Sequence, residues 1–509
     1  MIRFKYLIYI CCITFMSCAD FLEEYSPDQS YIRSYKDLDE LLIGEGYMAT
    51  SYNNLSSGYY PYIHMMADET RENNIEIEDY WEEDFNRFQQ KYFGYVTWQY
   101  RVGYTVDKLS TNKEDEDWNK LYKHINIANM ILWEIDKQEA NTDEARQAVK
   151  RIRGEAYFLR AAYYFTLTNL YGTPYVKSTA SQTLGVPIKT SPVIEDHMFP
   201  RETLEADYNL ILSDLEKAAD NLKDIPRKSV YRAGITAVRL LQSRVYLYMQ
   251  NWDKAAEYAQ MCLSLQSTLT DMNTMVNDES SEAFATADSP EVIFSMGNNN
   301  ISLMLTNLFA GLSASEGLKA CYQRDDLRTK FFLSPKDDSS YWICNKYVKL
   351  NATNNPDVSD NFMFRTAEAW LNLAEASACK GDEQTAKQAL EELRKNRIEL
   401  NSYKAIEKNG DELINEIRQE RRRELCFEGH RWFDLRRYTV SEKAPFTGSI
   451  RNTYTDYGDW SVNYIQTYEL KAGDPSWTLQ IPYEVVQFEQ LTPNPRNERA
   501  PIATSTTGN

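Results

Sequence analysis

Residues 367–393, AEAWLNLAEASACKGDEQTAKQALEEL, decide the fold. Apolar residues recur there at 3- and 4-residue steps on either side of the polar tight turn at Gly381, so the stretch reads as helix, turn, helix. Alanines occupy the positions where paired helices approach each other. Residues 237–265, AVRLLQSRVYLYMQNWDKAAEYAQMCLSL, repeat the pattern at an offset of 130. Leu240 then pairs with Trp370, Leu241 with Leu371, Asn251 with Gly381, Ala256 with Ala386 and Ala259 with Ala389. Two helical pairs of one design, far apart in the chain, predict a scaffold of stacked pairs interrupted by long insertions.

Further helices flank these pairs. Trp118, Leu121, Tyr122, Ile125, Ala128, Leu132 and Ile135 mark one apolar face. A second helix starts at Asn141-Thr142-Asp143, carries Ala145, Val149, Ile152, Ala156, Leu159, Tyr163 and Leu170, and closes at Gly172 and Pro174. A third runs from about Glu202 to Leu222. The expected fold is mainly α, with about four tetratricopeptide-like helical pairs packed against an irregular, loop-rich half that holds a few short strands. Residues 45–110, 266–361 and 441–509 supply that half. They lack helical period, and strand-like pieces occur at Pro290–Phe294 and Trp477–Ile481. Loops this long in a compact chain commonly carry function.

One more helix is expected from Asp411 to Arg437, with glutamates at 412, 416, 420, 424 and 428. Like charges four apart destabilise a helix. Arg421, Arg423 and Arg431 each sit three residues from one of those glutamates, so the reading favoured is a glutamate–arginine lattice clamping the helix to its neighbours. An anion site on Arg421–Arg423 is the alternative.

The 509 residues carry 75 acidic and 56 basic side chains, a net charge of −19. Phosphate backbones repel such a surface, so no nucleic-acid partner is expected. Only 19 glycines and 16 prolines are present, too few turn-formers for a β-sandwich or propeller. His64, His124, His197 and His430 are the only histidines and none stands at ligand spacing from another, so no zinc site is expected. Asp271, Asn273, Asn277 and Asp278 offer oxygen donors for a structural calcium, but they fit no calcium-loop spacing. No cofactor is expected.

Met1–Lys5 is a short basic segment, followed by an apolar run from Tyr6 to Met16. The run is too short to span a bilayer and reads as a signal peptide, residues 1–17. Ser17-Cys18 resembles a bacterial lipoprotein processing site, which makes Cys18 the lipidated N-terminus of one body spanning 18–509. A doubly acylated cysteine anchors stably. Five cysteines follow, at 262, 321, 344, 379 and 426, scattered without disulfide-framework spacing and read as free thiols.

Several ordered segments resemble the SusD/RagB outer-membrane lipoproteins of glycan-utilisation systems. They are Cys18-Ala-Asp-Phe-Leu22, Trp118–Ile125, Gly154–Ala161, Leu170–Pro174, Pro200–Thr203, Arg365–Ala376, Glu420–Arg431 with Asp434–Arg437, Ile481-Pro482 and Asn494-Pro495. The resemblance implies an N-terminal region of about 19–230, with helical pairs from 118, and a C-terminal region of about 270–509 that includes the helices of 362–437. It also implies a lipid-anchored protein on the outer face of the outer membrane that binds an oligosaccharide, caps a SusC-like TonB-dependent transporter and performs no catalysis. Asp20, Glu23 and Glu24 resemble the acidic export signal of this family.

The 36 tyrosines and 10 tryptophans suit helix cores or wet recognition surfaces alike. Residues 52–104 hold 11 such rings in 53 positions and residues 441–483 hold 7 in 43, against 14 in 148 over 118–265. Enrichment in the loops is what a sugar-binding surface requires. With the loop regions the family uses, this directs attention to Asp68, Arg71, Asn73, Tyr80, Trp81, Trp98, Tyr341 and Trp342. Burial in a loop-half core is the competing reading for any one ring. Two other functions compete with glycan capture. One is a helical protein–protein scaffold capping the transporter with little glycan affinity. The other is a glycoside hydrolase, which needs two carboxylates about 5–10 Å apart.

Overall fold

The structure is a computed structural model that describes residues 32–49, 58–72, 90–108, 114–278, 282–306, 312–335, 341–349, 355–458 and 461–506. Helix α1 (Tyr35–Leu41) opens it, capped by Ser34, and runs into a wide turn over Leu42–Gly46. Helices α2 (Asp117–Ile135) and α3 (Asp143–Tyr171) form the first large pair, and α4 (Leu204–Leu222) packs along α3. Of the expected apolar face of α2, Trp118, Leu121, Ile125, Ala128 and Ile135 are buried, Tyr122 and Leu132 are half-buried, and Ile131 is buried as well. Gly154 sets the α3–α4 approach, since a Cβ there would lie 2.5 Å from Leu222 Cγ. The third helix begins later than expected because residues 201–203 form strand β3, antiparallel to β2 (Leu184–Pro187).

Helices α5 (Ile235–Tyr248) and α6 (Trp252–Leu265) stack on α7 (Thr366–Lys380) and α8 (Glu383–Lys395), although residues 266–365 lie between the pairs. The repeat is real, but its offset is 131 rather than 130. Both turns place one residue in the left-handed region, Gln250 (φ 57) and Gly381 (φ 91), immediately before the N-cap. The cap must accept a backbone N–H through its side chain. Asn251 takes Lys254 N at 3.3 Å and Asp382 takes Thr385 N at 3.1 Å. Asn251 is therefore equivalent to Asp382, not Gly381. In this register Ala255 matches Ala386, Ala259 matches Leu390 and Cys262 matches Leu393, all with no exposed surface.

The charged segment is two helices, not one: α9 (Gly410–Glu424) and α10 (Arg431–Thr439). Between them Phe427 and Gly429 adopt φ 62 and φ 72. Tertiary donors hold the break open. Lys346 Nζ donates to the carbonyls of Glu424 (2.8 Å) and Cys426 (3.1 Å), and Tyr347 Oη donates to that of Phe427 (2.8 Å). The lattice is present with different partners. Arg423 pairs with Glu420 as expected, whereas Arg421 pairs with Asp434 and Arg431 with Asp68. Glu424 is neutralised by Arg328, Arg365 and Arg397, and Glu428 by Arg365 and Lys346, all buried. Glu291, from the central insertion, bridges Arg365 and Arg397. Against the desolvation that burial imposes, Arg328 and Arg423 hold Glu420 at about 2.

The loop half is stitched by short antiparallel strands. Strand β1 (Thr70–Glu72) pairs with β5 (Leu312–Ala314), β4 (Val292–Ser295) with β8 (Met363–Arg365), and β6 (Leu333–Pro335) with β7 (Trp342–Cys344). Strand β4 matches the expected piece at 290–294. Trp477–Ile481 forms no strand: Asp474 caps a tight turn through Trp477, and the chain then runs along the end of α3 through Leu479 N to Leu170 O (2.9 Å). The longest strands, β9 (Ser449–Gly458) and β10 (Ser461–Lys471), form a hairpin extended by β11 (Ala503–Thr506). Buried Arg436 joins the two halves, donating to the carbonyls of Asn169 and Gly172 at the end of α3 and of Trp477 in the loop half. One continuous core runs through both halves.

Candidate functional site

Strand β1 pairs Arg71 with Ser313 across the β1–β5 ribbon. Ser315 then caps a single helical turn, Glu316–Lys319. Arg71 Nη2 reaches Glu316 Oε1 at 2.9 Å and its Nε donates to Ser313 Oγ at 3.3 Å. Glu316 also pairs with Lys319 at 2.7 Å, and the Lys319 ammonium lies 5.6 Å from the centre of the half-exposed Trp342 ring. Strand β7, which carries Trp342, packs against β5, and β9 packs against β1. Arg71 and Trp342, from two separate insertions, thus share one surface with Glu316 and Lys319. Tyr341 is half-exposed and within electrostatic reach of buried Tyr457. Beneath them, burial pushes the Glu72 carboxyl up to about 8, and it accepts the Thr455 hydroxyl at 2.7 Å. Sequence reasoning missed Ser313, Glu316 and Lys319, because LSASEGLK (312–319) has no period and no aromatic signal.

Two other candidates are committed to internal contacts. Asp68 receives Arg431 at 2.7 and 2.9 Å and Arg422 at 3.0 Å. Despite desolvation, Arg431 and Arg422 hold its carboxyl at about 2. It clamps the start of β1 to α9 and α10, with both carboxylate oxygens already paired to guanidinium groups. Trp98 has no exposed surface, and its Nε1 donates to Met66 O at 3.1 Å, so it offers no face to a sugar. Cys18, Asn73, Tyr80 and Trp81 lie outside the described residues.

The aromatic enrichment also reads differently in three dimensions. Tyr60, Tyr62, Tyr92, Tyr95, Trp98, Tyr454, Tyr457, Tyr468 and Trp477 are all buried. Tyr62 stacks on Tyr95 at 3.9 Å, and Phe93 meets Tyr454 edge-on at 4.9 Å. Most described rings of the loop half fill its core rather than its surface.

Some oxygen donors of the acidic loop are engaged by the protein itself. Asp271 Oδ1 accepts the backbone and side-chain N–H groups of Asn273, both at 2.9 Å, and Asn277 Oδ1 takes the Lys349 ammonium at 2.5 Å. Among the described residues no three His, Cys, Asp or Glu side chains are grouped to hold a metal. The five cysteines are free, and only Cys321 is partly exposed.

Stacked helical pairs carrying a loop-built half, with a half-buried aromatic beside linked charges, define a helical-scaffold binding protein. The chain belongs to the SusD/RagB family. The family model described as "Starch-binding associating with outer membrane" matches residues 20–247, and that of the SusD family matches residues 334–496. A SusD-like protein of Formosa agariphila is 24% identical over 444 residues, covering 74% of this chain and 83% of that protein. A solved SusD superfamily protein from Bacteroides thetaiotaomicron shares the fold with TM-score 0.66 at 20% identity, covering 91% of this chain and 100% of that one. A SusD-like carbohydrate binding protein from Bacteroides vulgatus gives TM-score 0.61 at 20% identity, covering 92% and 93%.

Proposed function

We propose that this protein is a cell-surface lipoprotein, anchored through Cys18, that captures an oligosaccharide and passes it to a SusC-like TonB-dependent transporter in the outer membrane, without catalysis. The observation that carries the glycan reading is the half-exposed Trp342 beside the linked charges Lys319, Glu316 and Arg71. A flat ring takes the C–H face of a sugar, while charged side chains in fixed positions meet its hydroxyls. Membership of the family supports the same reading. Arg71 and Trp342 lie inside the two matched segments, whereas Ser313, Glu316 and Lys319 lie between them. In this reading the shared framework supplies the platform and the chain's own insertion supplies the selectivity.

Isothermal titration against a panel of plant and host polysaccharides tests the function. Trp342→Ala is expected to weaken the best binder about tenfold, the loss of an aromatic hot spot of about 1.4 kcal/mol. Unchanged affinity removes Trp342 from the site. Absence of binding to every glycan, with transporter association retained, favours the scaffold role. Release of reducing sugar from the same glycans overturns the non-catalytic reading.

A further inference from the structure

Helix α11 (Tyr483–Glu489) begins directly after Pro482, and its first ring, Tyr483, is 48% exposed. That ring is held in place. The guanidinium carbon of Arg101 lies 4.2 Å from its centre and 5.5 Å from that of Tyr104, so the arginine covers one face of Tyr483. Glu114 fixes both members of the stack: Oε1 accepts Arg101 Nε at 2.5 Å, and Oε2 accepts the Tyr483 backbone N–H at 2.7 Å. Glu114 itself is only 3% exposed, so the clamp is buried while the ring it positions is open. Only Nε of Arg101 is engaged, which leaves Nη1 and Nη2 without a protein partner among the described residues.

Here one face of Tyr483 is backed by a cation while the residue stays 48% exposed, and the Nη groups of Arg101 have no partner among the described residues. That combination matches a pyranose unit, whose C–H face lies on an aromatic ring and whose edge hydroxyl or carboxylate accepts from guanidinium N–H groups. We propose that Tyr483, with Arg101 behind it, is a second sugar-contacting platform, built from other segments than the Trp342 patch and engaging another unit of the same polysaccharide. The proposal rests on the glycan-binding reading above. Two platforms on one polymer raise its apparent affinity through effective concentration, with no change in either contact.

The test is affinity electrophoresis of the full chain in gels cast with xylan, pectin, starch or gastric mucin. Tyr483→Ala is expected to reduce retardation by the active polysaccharide about tenfold, and Arg101→Ala to do the same. Tyr483→Phe, which keeps the ring, retains binding. Phe488→Ala removes another exposed ring, 78% accessible, and is expected to change nothing. Thermal melts confirm that each variant folds. Wild-type-like retardation of Tyr483→Ala, with Trp342→Ala still impaired, overturns this platform and leaves the glycan reading standing. Equal losses in Tyr483→Ala and Phe488→Ala also overturn it, by showing a nonspecific surface effect. If the wild type is retarded by none of the four polysaccharides and binds no glycan of the titration panel, both proposals fall.

Discussion

Glu424→Gln isolates what the buried charge lattice contributes. Glu424 has no exposed surface. Its Oε1 accepts from Arg365 at 3.1 Å and Arg397 at 3.0 Å, and its Oε2 from Arg397 at 2.9 Å and Arg328 at 3.1 Å. Glutamine keeps the volume, removes the charge, and turns an N–H donor toward guanidinium groups that are themselves donors. Breaking a buried ion network by removing one partner destabilises by about 3–5 kcal/mol, because the remaining charges stay desolvated. A chain of 509 residues has an unfolding entropy of roughly 1 kcal/mol/K, taking about 2.1 cal/mol/K per residue. If the protein unfolds as one unit, the loss lowers Tm by roughly 3–5 °C in differential scanning calorimetry. A fall two or three times larger would mean that the lattice-bearing part melts separately. Adding Arg397→Met to Glu424→Gln should restore at least about 1 kcal/mol relative to additivity, since the pair is in direct contact. A Tm within 1 °C of wild type for Glu424→Gln would refute the claim that this network is ionised and load-sharing.

Two further perturbations follow from the same geometry. Glu420 and Glu375 are both held at about 2, where burial is outweighed mainly by Arg328 for Glu420 and by Arg437 for Glu375. Their stabilisation is present above the ordinary value of 4.5 and is lost as pH falls toward 2, so Tm should drop steeply below pH 4.5. Burial, reinforced by Asp115, instead raises Asp117 to about 8, and burial raises Glu72 to about 8, so these groups erode stability as pH rises toward 8. A pH series by scanning fluorimetry should therefore peak near pH 5, and a flat Tm between pH 5 and 3 would contradict the assignment. Gly154→Ala places a Cβ 2.5 Å from Leu222 Cγ and forces α3 and α4 apart. The expected loss is about 1–3 kcal/mol by denaturant titration, and a neutral result would mean that Leu222 repacks freely.

The helical scaffold was legible because its burial is local. Each helix writes its inner face as a 3- and 4-residue period, and α2, α3, α5 and α7 lie where that period placed them. Errors arose where tertiary partners outvoted the period. The offset of the repeat slipped by one because apolar matching cannot separate a left-handed residue from the cap that follows it. The break at Leu425–Gly429 is held by Lys346 and Tyr347, donors some 80 residues away in sequence. Asp68 looked available for a ligand because its partners Arg431 and Arg422 stand more than 350 positions away. The β9–β10 hairpin is written in the Tyr- and Thr-rich stretch on either side of Gly458, a strand signal without helical period.

The surplus of rings follows from how a loop-built half must be held together. Loops leave carbonyls that no helix or sheet ladder satisfies, and burying them unpaired is unfavourable. Tyrosine and tryptophan supply apolar bulk and one donor in the same side chain. The described rings are used in this way: Tyr163 donates to Gly46 O, Tyr122 to Pro187 O, Tyr164 to Lys189 O, Trp98 to Met66 O, Tyr322 to Arg423 O and Trp477 to Lys471 O. Rings in both halves of this chain therefore satisfy buried backbone carbonyls, and ring density alone overstates the sugar-binding surface. A ring becomes a candidate for recognition only when its polar edge or open face is not consumed by such a bond and charged groups stand fixed beside it. Trp342 beside Lys319 and Tyr483 over Arg101 meet that condition, whereas Trp98 does not.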